Sequence, residues 1–313
     1  MQAKKMYSSV LRDESSLRNL RAFISEEYSL EVRDITPARR GYFGETWRLD
    51  CNEGRYFAKL VHGYHREGYR GSFSVIDHLC KQGAERINRV VKTRGGQLYT
   101  RFEDGILGLF DWINGENIQN KASKAQEYQI LTRVYAVNPE GLNITREDFS
   151  AAAAENFYAQ WAQVKDLEVL ALLEPKRELI AHRARRLRQF ARLCQEDSSG
   201  FVITHGDAGG NMIVNGDVYH LVDWDTPLLS PPERDAWFCM HWPWAMEAFH
   251  AALRHNGIDY QLRPERLAYY CYYMFFYYLN AFLNTHFELG SHAGLKDYLS
   301  GWIEDSFAFA ERI

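Results

Sequence analysis

Apolar residues in the first third of the chain recur with two different spacings, one typical of helices and one typical of strands. Apolar residues at helical spacing come first, at Leu17, Leu20, Phe23 and Ile24. They predict an N-terminal helix over residues 14–28. The next runs, RDITPARRGYFGETWRLDC and GRYFAKLVH, alternate between apolar and polar residues and are separated by the turn sequence NEG. They therefore predict a β-hairpin.

A second helix and three more strands are predicted before residue 113. In SFSVIDHLCKQG the apolar residues share one helical face, and Gly83 is a typical helix stop. The short runs INRVVKT, GQLYTRF and GILGLFDWI are separated by glycine-containing turns, which is typical of strands. We therefore predict a β-rich N-terminal lobe over residues 1–113 with a five-stranded sheet.

From Asn114 onward the apolar spacing becomes helical, which predicts a mostly helical lobe over residues 114–313 and an α+β fold class. The segment KRELIAHRARRLRQFARL has one apolar stripe, and its arginines, Arg183 among them, are predicted to lie largely off that stripe. A solvated face is a more common explanation of such a charge run than a phosphate contact. The apolar, tyrosine-rich residues 267–283 are too few for a membrane span and predict a buried or interface helix.

Composition and charge narrow the class of protein. With 46% hydrophobic and 25% charged residues, the 313-residue chain has the composition of a folded globular protein. Its net charge of −4 argues against a nucleic-acid partner. The five cysteines are scattered without a CxxC pair, so they indicate neither a disulfide framework nor a zinc site. Because no apolar signal-peptide region opens the chain, we expect a cytoplasmic protein without a membrane partner.

Oxygen-bearing side chains concentrate in the segment VITHGDAGGNMIVNGDVYHLVDWD. The NG pair at residues 215–216 joins two apolar runs and predicts a hairpin. This hairpin would bring four such side chains to one end, those of Asp207, Asn211, Asp223 and Asp225. The last two are two positions apart on a predicted strand and should face the same side. Mg²⁺ prefers such ligands and relieves repulsion between carboxylates, although Asp and Asn are also common turn residues and a structural turn is the alternative.

A lysine in the β-rich lobe adds a second chemical signal. Lys59 alternates with apolar neighbours in RYFAKLV, a pattern that otherwise suits a residue facing solvent. The preceding hairpin contains RRGYFGET, where Gly41 and Gly44 allow the backbone to approach a ligand. The motifs GxxxxGK[ST], HExxH and GxSxG are absent from the sequence. A glycine-bearing hairpin, a lysine and then Asp, Asn and Asp in order are typical of kinase phosphoryl transfer.

These residues and their order resemble the aminoglycoside phosphotransferase and choline kinase family. THGDAGGNMIV is similar to the catalytic loop of that family, YHLVDWDTPLLSPPERDAWF to its metal-binding strand and following helix, and YFAKL to its lysine strand. The VDWDTPLLSPPERD stretch is most similar to the spectinomycin-type branch. The resemblance covers nearly the whole chain. It implies a two-lobed protein-kinase-like fold, with a nucleotide-binding N-terminal lobe and a catalytic, acceptor-binding C-terminal lobe.

The resemblance also implies a role for each matching residue. Asp207 would be the catalytic carboxylate that accepts the proton of the acceptor hydroxyl, and His205 would support its loop. Asp223 would hold Mg²⁺, Asn211 would hold a second metal ion, and Lys59 would bind the α- and β-phosphates. The implied phosphoryl donor is ATP, with GTP as the alternative.

Two further contacts follow from the resemblance. Glu67, at the start of the second predicted helix, is the candidate ion-pair partner of Lys59, and Glu85 is the alternative. The adenine is expected against backbone groups of LGLFDWINGEN, at Phe110, Asp111 and Trp112.

The loop between Asp207 and Asn211 departs from the family pattern, because it is one residue shorter than usual. We therefore predict that Asp225 shares the second metal ion and matters more for it than Asn211 does.

The predicted function is transfer of a nucleotide γ-phosphoryl group to a hydroxyl of a small molecule of the aminoglycoside, choline or amino-sugar type. We expect a monomer or a homodimer. A protein kinase is disfavoured because the sequence contains neither DFG nor APE. A catalytically inactive, kinase-like binding module is disfavoured because Lys59, Asp207 and Asp223 are all present.

Overall fold

The computed structural model describes residues 12–38, 44–63, 66–300 and 304–313. Gly41, predicted to lie near a ligand, falls outside these residues. Among the described residues, no helix combines the length and the apolar character that crossing a membrane requires.

The strands of the described residues are mostly short. They are β1 (Val32–Pro37), β2 (Glu45–Cys51), β3 (Arg55–Val61), β4 (Val90–Val91), β5 (Thr100–Phe102), β6 (Gly105–Asp111), β7 (Glu116–Asn117), β8 (Val202–Thr204), β9 (Met212–Asn215), β10 (Val218–Leu221) and β11 (Leu228–Ser230).

The helices lie mainly after residue 120. They are α1 (Glu14–Tyr28), α2 (Arg66–Lys81), α3 (Lys121–Tyr135), α4 (Ala152–Trp161), α5 (Leu167–Leu173), α6 (Arg177–Gln195), α7 (Glu233–Ala236), α8 (Pro243–His255), α9 (Pro264–Leu289), α10 (Ala293–Leu299) and α11 (Glu304–Ala310). The predicted N-terminal helix is confirmed, as are the helix after the first hairpin and the β9–β10 hairpin.

The N-terminal sheet has six strands rather than the predicted five. Its order is β1-β2-β3-β6-β4, and β5 also pairs with β6. Two short strands share one edge of β6, because Val91 pairs with Leu109 and Thr100 pairs with Leu107. The chain turns between them, where the N–H of Thr93 donates to the carbonyl of Gln97 at 2.8 Å. Both short strands were predicted, and the sixth strand arises because the first alternating run contains two antiparallel strands, β1 and β2.

Both faces of the sheet are covered by helices. Leu107 and Leu109 of β6 belong to the apolar core that includes Leu20 and Ile24 of α1. Alternate residues of a strand face opposite sides, so Gly108 between them faces α2. Lys59, which pairs with Gly108, is therefore enclosed within the layered structure rather than exposed at its surface.

The chain divides into two compact units. They comprise residues 1–145 with 205–227, and residues 146–204 with 228–313. The β9–β10 hairpin groups with the N-terminal sheet because Leu221 forms a bridge with Ile87, and its N–H donates to the carbonyl of Arg86 at 2.8 Å. The predicted lobe boundary near Asn114 was based on the change from strand to helix patterns and does not coincide with the division between the two units. A division into lobes at Asn114 stays a prediction.

The second unit is helical and is organised around α9, a helix of 26 residues that packs against α4, α6 and α11. Phe275 and Phe276 of α9 are buried. The prediction of a buried helix over residues 267–283 is therefore confirmed. Phe275 and Phe276 pack edge to face with 5.0 Å between their ring centroids, an arrangement that aromatic pairs favour.

Arg183 of α6 is buried, which corrects the predicted solvated face. Ile180 and Leu187 form the expected apolar stripe, and Arg183 lies three positions after the first and four before the second. That spacing puts it on the same face of the helix. Its guanidinium lies 4.6 Å from the ring centroid of Phe275 and 3.5 Å from that of Phe307.

Candidate functional site

Lys59 lies in the middle of the N-terminal sheet, and only 4% of it is exposed. It is on β3, between Thr46 of β2 and Gly108 of β6. Its Nζ donates to Oδ1 of Asp223 at 2.6 Å and to Oδ2 of Asp225. The structure thus brings the predicted phosphate-binding lysine together with two predicted metal ligands inside one compact unit.

The two aspartates do not lie on a regular strand, contrary to the prediction. β10 ends at Leu221, and Asp223 has a left-handed backbone conformation with a φ of 68°. Asp tolerates this conformation better than most residues do. Trp224, between the aspartates, is buried and donates its indole N–H to the carbonyl of Leu221 at 3.1 Å. The turn therefore buries the indole while both carboxylates contact Lys59.

One ammonium faces two carboxylates, and the pKa values of all three groups reflect this arrangement. Burial lowers the pKa of Lys59, but the carboxylates more than compensate and raise it above its ordinary value. Burial raises the pKa of Asp223, yet the Lys59 charge brings it below its ordinary value. For Asp225, burial prevails and raises the pKa to about 6. Because acidic groups outnumber the cation, a further cation would be stabilised here.

Helix α2 packs beside Lys59 through two aromatic residues that sequence reasoning missed. The Tyr69 hydroxyl donates to the Lys59 carbonyl at 3.2 Å, and the Lys59 ammonium lies 5.7 Å from the centroid of that ring. A Cβ on Gly108 would lie 2.3 Å from Phe73, so a side chain at position 108 would displace this ring. Aromatic residues at helical spacing are typical of any core, which is why the sequence carried no specific signal.

Glu67 does not reach Lys59, which corrects the predicted ion pair. Its side chain is 62% exposed and lies 3.1 Å from Arg70, three positions along α2. Glu85, the alternative partner, is also exposed. Since position 67 is in the first turn of α2, the helix places Tyr69 rather than Glu67 against the lysine strand.

The HGD turn is held by the fully buried imidazole of His205. Its Nδ1 accepts the N–H of Asp207 at 3.2 Å, and its Nε2 lies 3.0 Å from the carbonyl of Val222, so Nε2 carries the proton. The ring also packs against Trp224 with 4.5 Å between centroids. His205 therefore connects the backbone of Asp207 to the residue before Asp223, while Asp207 itself is exposed.

Asn211 closes the short loop that follows Asp207. Its backbone N–H donates to the carbonyl of Ala208 at 3.2 Å, and its Nδ2 donates to the carbonyl of Asp207 at 2.7 Å. Its own carbonyl accepts the N–H of Val222 at 3.0 Å. The hairpin thus brings Asn211 next to the segment that bears Asp223, but the amide nitrogen of Asn211 braces the loop.

The segment before α3 supports the same loop from its other side. The side-chain amide of Asn117 donates to the carbonyl of Gly210. Gly210 has a φ of 103°, and a Cβ there would lie 2.7 Å from Gln119. A side chain at position 210 would therefore be strained and would displace Gln119.

Lys124 of α3 is a second cation near the loop, and sequence reasoning missed it. Its Nζ lies 3.8 Å from the position that a Cβ on Gly209 would occupy. The same Nζ pairs with the buried carboxylate of Glu127 at 2.8 Å. A Lys–Glu pair three positions apart on a helix is typical of a solvated face, so its pattern did not distinguish it.

The residues predicted to bind adenine lie at the end of β6. Phe110 is buried, whereas Asp111 is exposed. The N–H of Asp111 donates to the carbonyl of Arg89 at 3.1 Å, and that of Trp112 donates to the carbonyl of Arg55 at 3.3 Å. These two N–H groups are already engaged, so an adenine at this segment would use carbonyl groups or the backbone that follows.

Gly44 lies at the start of β2 in a conformation that favours glycine, with a φ of 92°. A Cβ there would lie 2.4 Å from the carbonyl oxygen of Leu60. The close approach of β2 to β3 is thus a structural reason for this glycine, and a nucleotide contact at Gly44 stays a prediction.

Comparisons with known proteins bear on this arrangement. The phosphotransferase enzyme family matches residues 34–270, from β1 into α9. A search of curated protein sequences found no match.

Several solved structures share the fold. Spectinomycin phosphotransferase APH(9)-Ia, in complex with ADP and spectinomycin, is 19% identical, with 95% of this chain and 98% of that chain covered and a TM-score of 0.76. Amicoumacin kinase hAmiN, in complex with AMP-PNP, Ca²⁺ and Ami, is 13% identical, with coverage of 96% and 94% and a TM-score of 0.64. An aminoglycoside phosphotransferase from Alicyclobacillus acidocaldarius is 14% identical, with coverage of 99% and 98% and a TM-score of 0.61.

These likenesses confirm the predicted fold class, α+β and protein-kinase-like, with a β-rich N-terminal region and a mostly helical C-terminal region. The family match spans most of the chain and includes Lys59, the HGD turn and both aspartates that contact the lysine. The chain therefore belongs to the phosphotransferase enzyme family and is a small-molecule kinase.

Proposed function

We propose that the enzyme transfers the γ-phosphoryl group of ATP to a hydroxyl group of a small molecule. The observation that carries this proposal is the contact of Lys59 with both Asp223 and Asp225, which follow the loop bearing Asp207. Phosphoryl transfer needs a cation for the phosphates, oxygen ligands for a metal ion and a group that orients the attacking hydroxyl. The buried ammonium, the two carboxylates and the exposed Asp207 are groups of these kinds.

Lys59 would bind the α- and β-phosphates of the nucleotide as a point charge. Pairing of β3 with both neighbouring strands and the Tyr69 hydrogen bond already position its backbone, so little ordering is needed when the nucleotide binds. The ADP in the spectinomycin phosphotransferase structure and the AMP-PNP in the amicoumacin kinase structure support an adenine nucleotide as the donor.

The residues present fit a magnesium ion. Asp223 and Asp225 offer hard carboxylate oxygens around one ammonium, and their combined charge exceeds that of Lys59. A bound Mg²⁺ would neutralise charge that develops on the phosphates. Asp223 would be the principal ligand, and Asp225 would share a second ion more than Asn211 would, because a charged carboxylate is a stronger ligand for Mg²⁺ than a neutral amide oxygen.

Asp207 would accept the proton of the acceptor hydroxyl at a carboxylate oxygen. The hydroxyl oxygen forms a bond to the γ-phosphorus while the bond from that phosphorus to the β–γ bridging oxygen breaks, and ADP leaves with the bridging oxygen. His205 accepts the backbone N–H of Asp207 at Nδ1, and this hydrogen bond fixes the turn. Because Asp207 is exposed, its carboxylate could contact an acceptor.

The proposed acceptors are aminoglycosides, choline-like alcohols and amino sugars. Spectinomycin in one similar structure and Ami in another support a small-molecule acceptor. Membership of the phosphotransferase enzyme family favours this function over a protein kinase and over an inactive binding module.

The test is to incubate the enzyme with Mg²⁺, ATP or GTP, and a panel of these acceptors, and to detect phosphorylated product by mass spectrometry. We expect a product with ATP. Asp207→Asn should retain nucleotide affinity and lower kcat by roughly 10²- to 10⁴-fold, the range for loss of a general base. Asp217→Asn, in the exposed turn of the β9–β10 hairpin, is the matched control and should keep wild-type kcat. Equal kcat in both variants would contradict the role of Asp207.

A further inference from the structure

Three segments of the second compact unit bring two histidines and an aspartate together, apart from the site described above. Asp166 caps the N-terminus of α5, His286 lies in the last turn of α9, and His292 precedes α10. One ring nitrogen of each histidine and one carboxylate oxygen of Asp166 all lie within 4.8 Å of one another. No short sequence motif indicated this cluster, because Asp166 lies 120 positions before His286.

The distance between Asp166 and His286 does not suit a direct hydrogen bond. Oδ1 of Asp166 accepts the backbone N–H groups of Glu168 at 2.8 Å and Val169 at 3.4 Å. Its other oxygen, Oδ2, lies 3.8 Å from Nε2 of His286. This is too long for a hydrogen bond. It is close to the separation of about 3.4 Å between two ligands of a tetrahedral zinc ion with bonds of about 2.0–2.2 Å.

His292 has the surroundings of a metal-binding histidine. Its Nε2 lies 3.1 Å from a carboxylate oxygen of Glu168. Its Nδ1, like that of His286, is buried and has no hydrogen-bond partner among the described residues. A buried polar nitrogen without a partner is destabilising. Histidines that bind metals usually donate their second ring N–H to a carboxylate, as the Glu168 contact would allow.

We propose that Asp166, His286 and His292 bind one divalent transition-metal ion of the zinc class, and that Glu168 orients His292. Two imidazoles and one carboxylate form a typical ligand set for zinc, whereas Mg²⁺ prefers oxygen ligands. The ion would connect the start of α5 to the end of α9 and to the segment before α10. Because it would bind the folded chain, it would raise the melting temperature.

The test is zinc binding by metal-depleted enzyme, measured by calorimetry and by metal analysis after dialysis, with excess Mg²⁺ to occupy the kinase metal site. Wild-type enzyme should bind one equivalent of Zn²⁺, with a rise in Tm. The double variant His286→Ala/His292→Ala should lose this equivalent and the Tm response. His182→Ala is the matched control, because His182 is half-exposed and pairs with Glu311 elsewhere. It should behave as wild type.

Glu168→Gln keeps the test decisive if the double variant fails to fold, because Glu168 is 76% exposed and its replacement is mild. We expect its zinc affinity to fall by about 10- to 100-fold, as for other outer carboxylate partners of metal-binding histidines. Equal zinc affinity in wild type and Glu168→Gln, or equal binding by wild type and the double variant, would overturn the proposal. Absence of zinc binding by wild type would overturn it as well.

Discussion

Lys59 of the first compact unit and Arg183 of the second are both buried cations, and they are held in different ways. Lys59 of β3 contacts two carboxylates, whereas the guanidinium of Arg183 in α6 lies against the ring faces of Phe275 and Phe307. Both are 4% exposed, and both interrupt an apolar face. Burial alone therefore does not distinguish a functional cation from a structural one.

The two cations differ in whether their present partners can be replaced by a substrate or a metal ion. A buried ammonium loses hydration energy that its Coulomb attraction to partly exposed carboxylates only partly restores, so Lys59 and its carboxylates are a poor means of stabilising a fold. They can instead take new partners, since phosphates attract the ammonium and a metal ion attracts the carboxylates. Ring faces offer no such exchange, and their contacts with the Arg183 guanidinium contribute to its stability in place. The partners of a buried charge thus indicate its role.

Asp223→Ala should have the largest effect. It removes both a carboxylate partner of Lys59 and the proposed principal metal ligand, so kcat should fall by about 10³-fold or more. Steady-state assays at saturating ATP and Mg²⁺ measure this loss. Asp217→Ala, in the turn of the β9–β10 hairpin that precedes Asp223, is the control and should retain activity. Comparable activity in the two variants would remove Asp223 from the mechanism.

Lys59→Met tests whether the two carboxylates that contact Lys59 bind Mg²⁺. We expect kcat/KM for ATP to fall by about 10²- to 10³-fold, because a phosphate contact is lost. The variant should also be less stable, since two neighbouring carboxylates lose their cation. Mg²⁺ should restore part of that stability, and thermal melts with and without Mg²⁺ should show a larger rise in Tm for the variant than for wild type. A rise no larger than in wild type would contradict metal binding by these carboxylates.

Asp225→Ala and Asn211→Ala test which residue supports the second metal ion. Asp225 contacts Lys59, whereas the Asn211 amide nitrogen is bonded within the loop. We expect the Mg²⁺ concentration for half-maximal activity to rise by about 10- to 100-fold in Asp225→Ala and by less in Asn211→Ala. Mg²⁺ titration of the two variants decides the order. Wild-type metal dependence in Asp225→Ala beside a large rise in Asn211→Ala would restore the usual family arrangement.

Arg183→Met should have the smallest effect on activity. It keeps much of the side-chain volume but removes the charge over two rings, so the free energy of unfolding should fall by about 1–3 kcal/mol. Activity below the melting transition should equal that of wild type. Denaturant unfolding and steady-state kinetics on the same preparation measure both quantities. A loss of kcat without a loss of stability would break the distinction between the two cations.

Regular elements were predictable because their signals are local. The helical spacing over residues 14–28 and the alternation around the first hairpin each depend on neighbours a few positions apart. The number of strands in the sheet was not predictable in this way, since the first alternating run, which was predicted as one strand, contains both β1 and β2. The geometry at Asp223 was also missed, because a strand pattern does not reveal a left-handed residue at its end.

The kinds of chemical group in the site and their order could be read from the sequence: a lysine on a strand, an HGD turn, and two aspartates after a hairpin. Which of these groups come into contact depends on the folded arrangement. Lys59 and Asp223 are 164 positions apart and form an ion pair, while Glu67, eight positions from Lys59, faces solvent. Electrostatic pairing and burial depend on distances in space, and local periodicity specifies those distances only within one element.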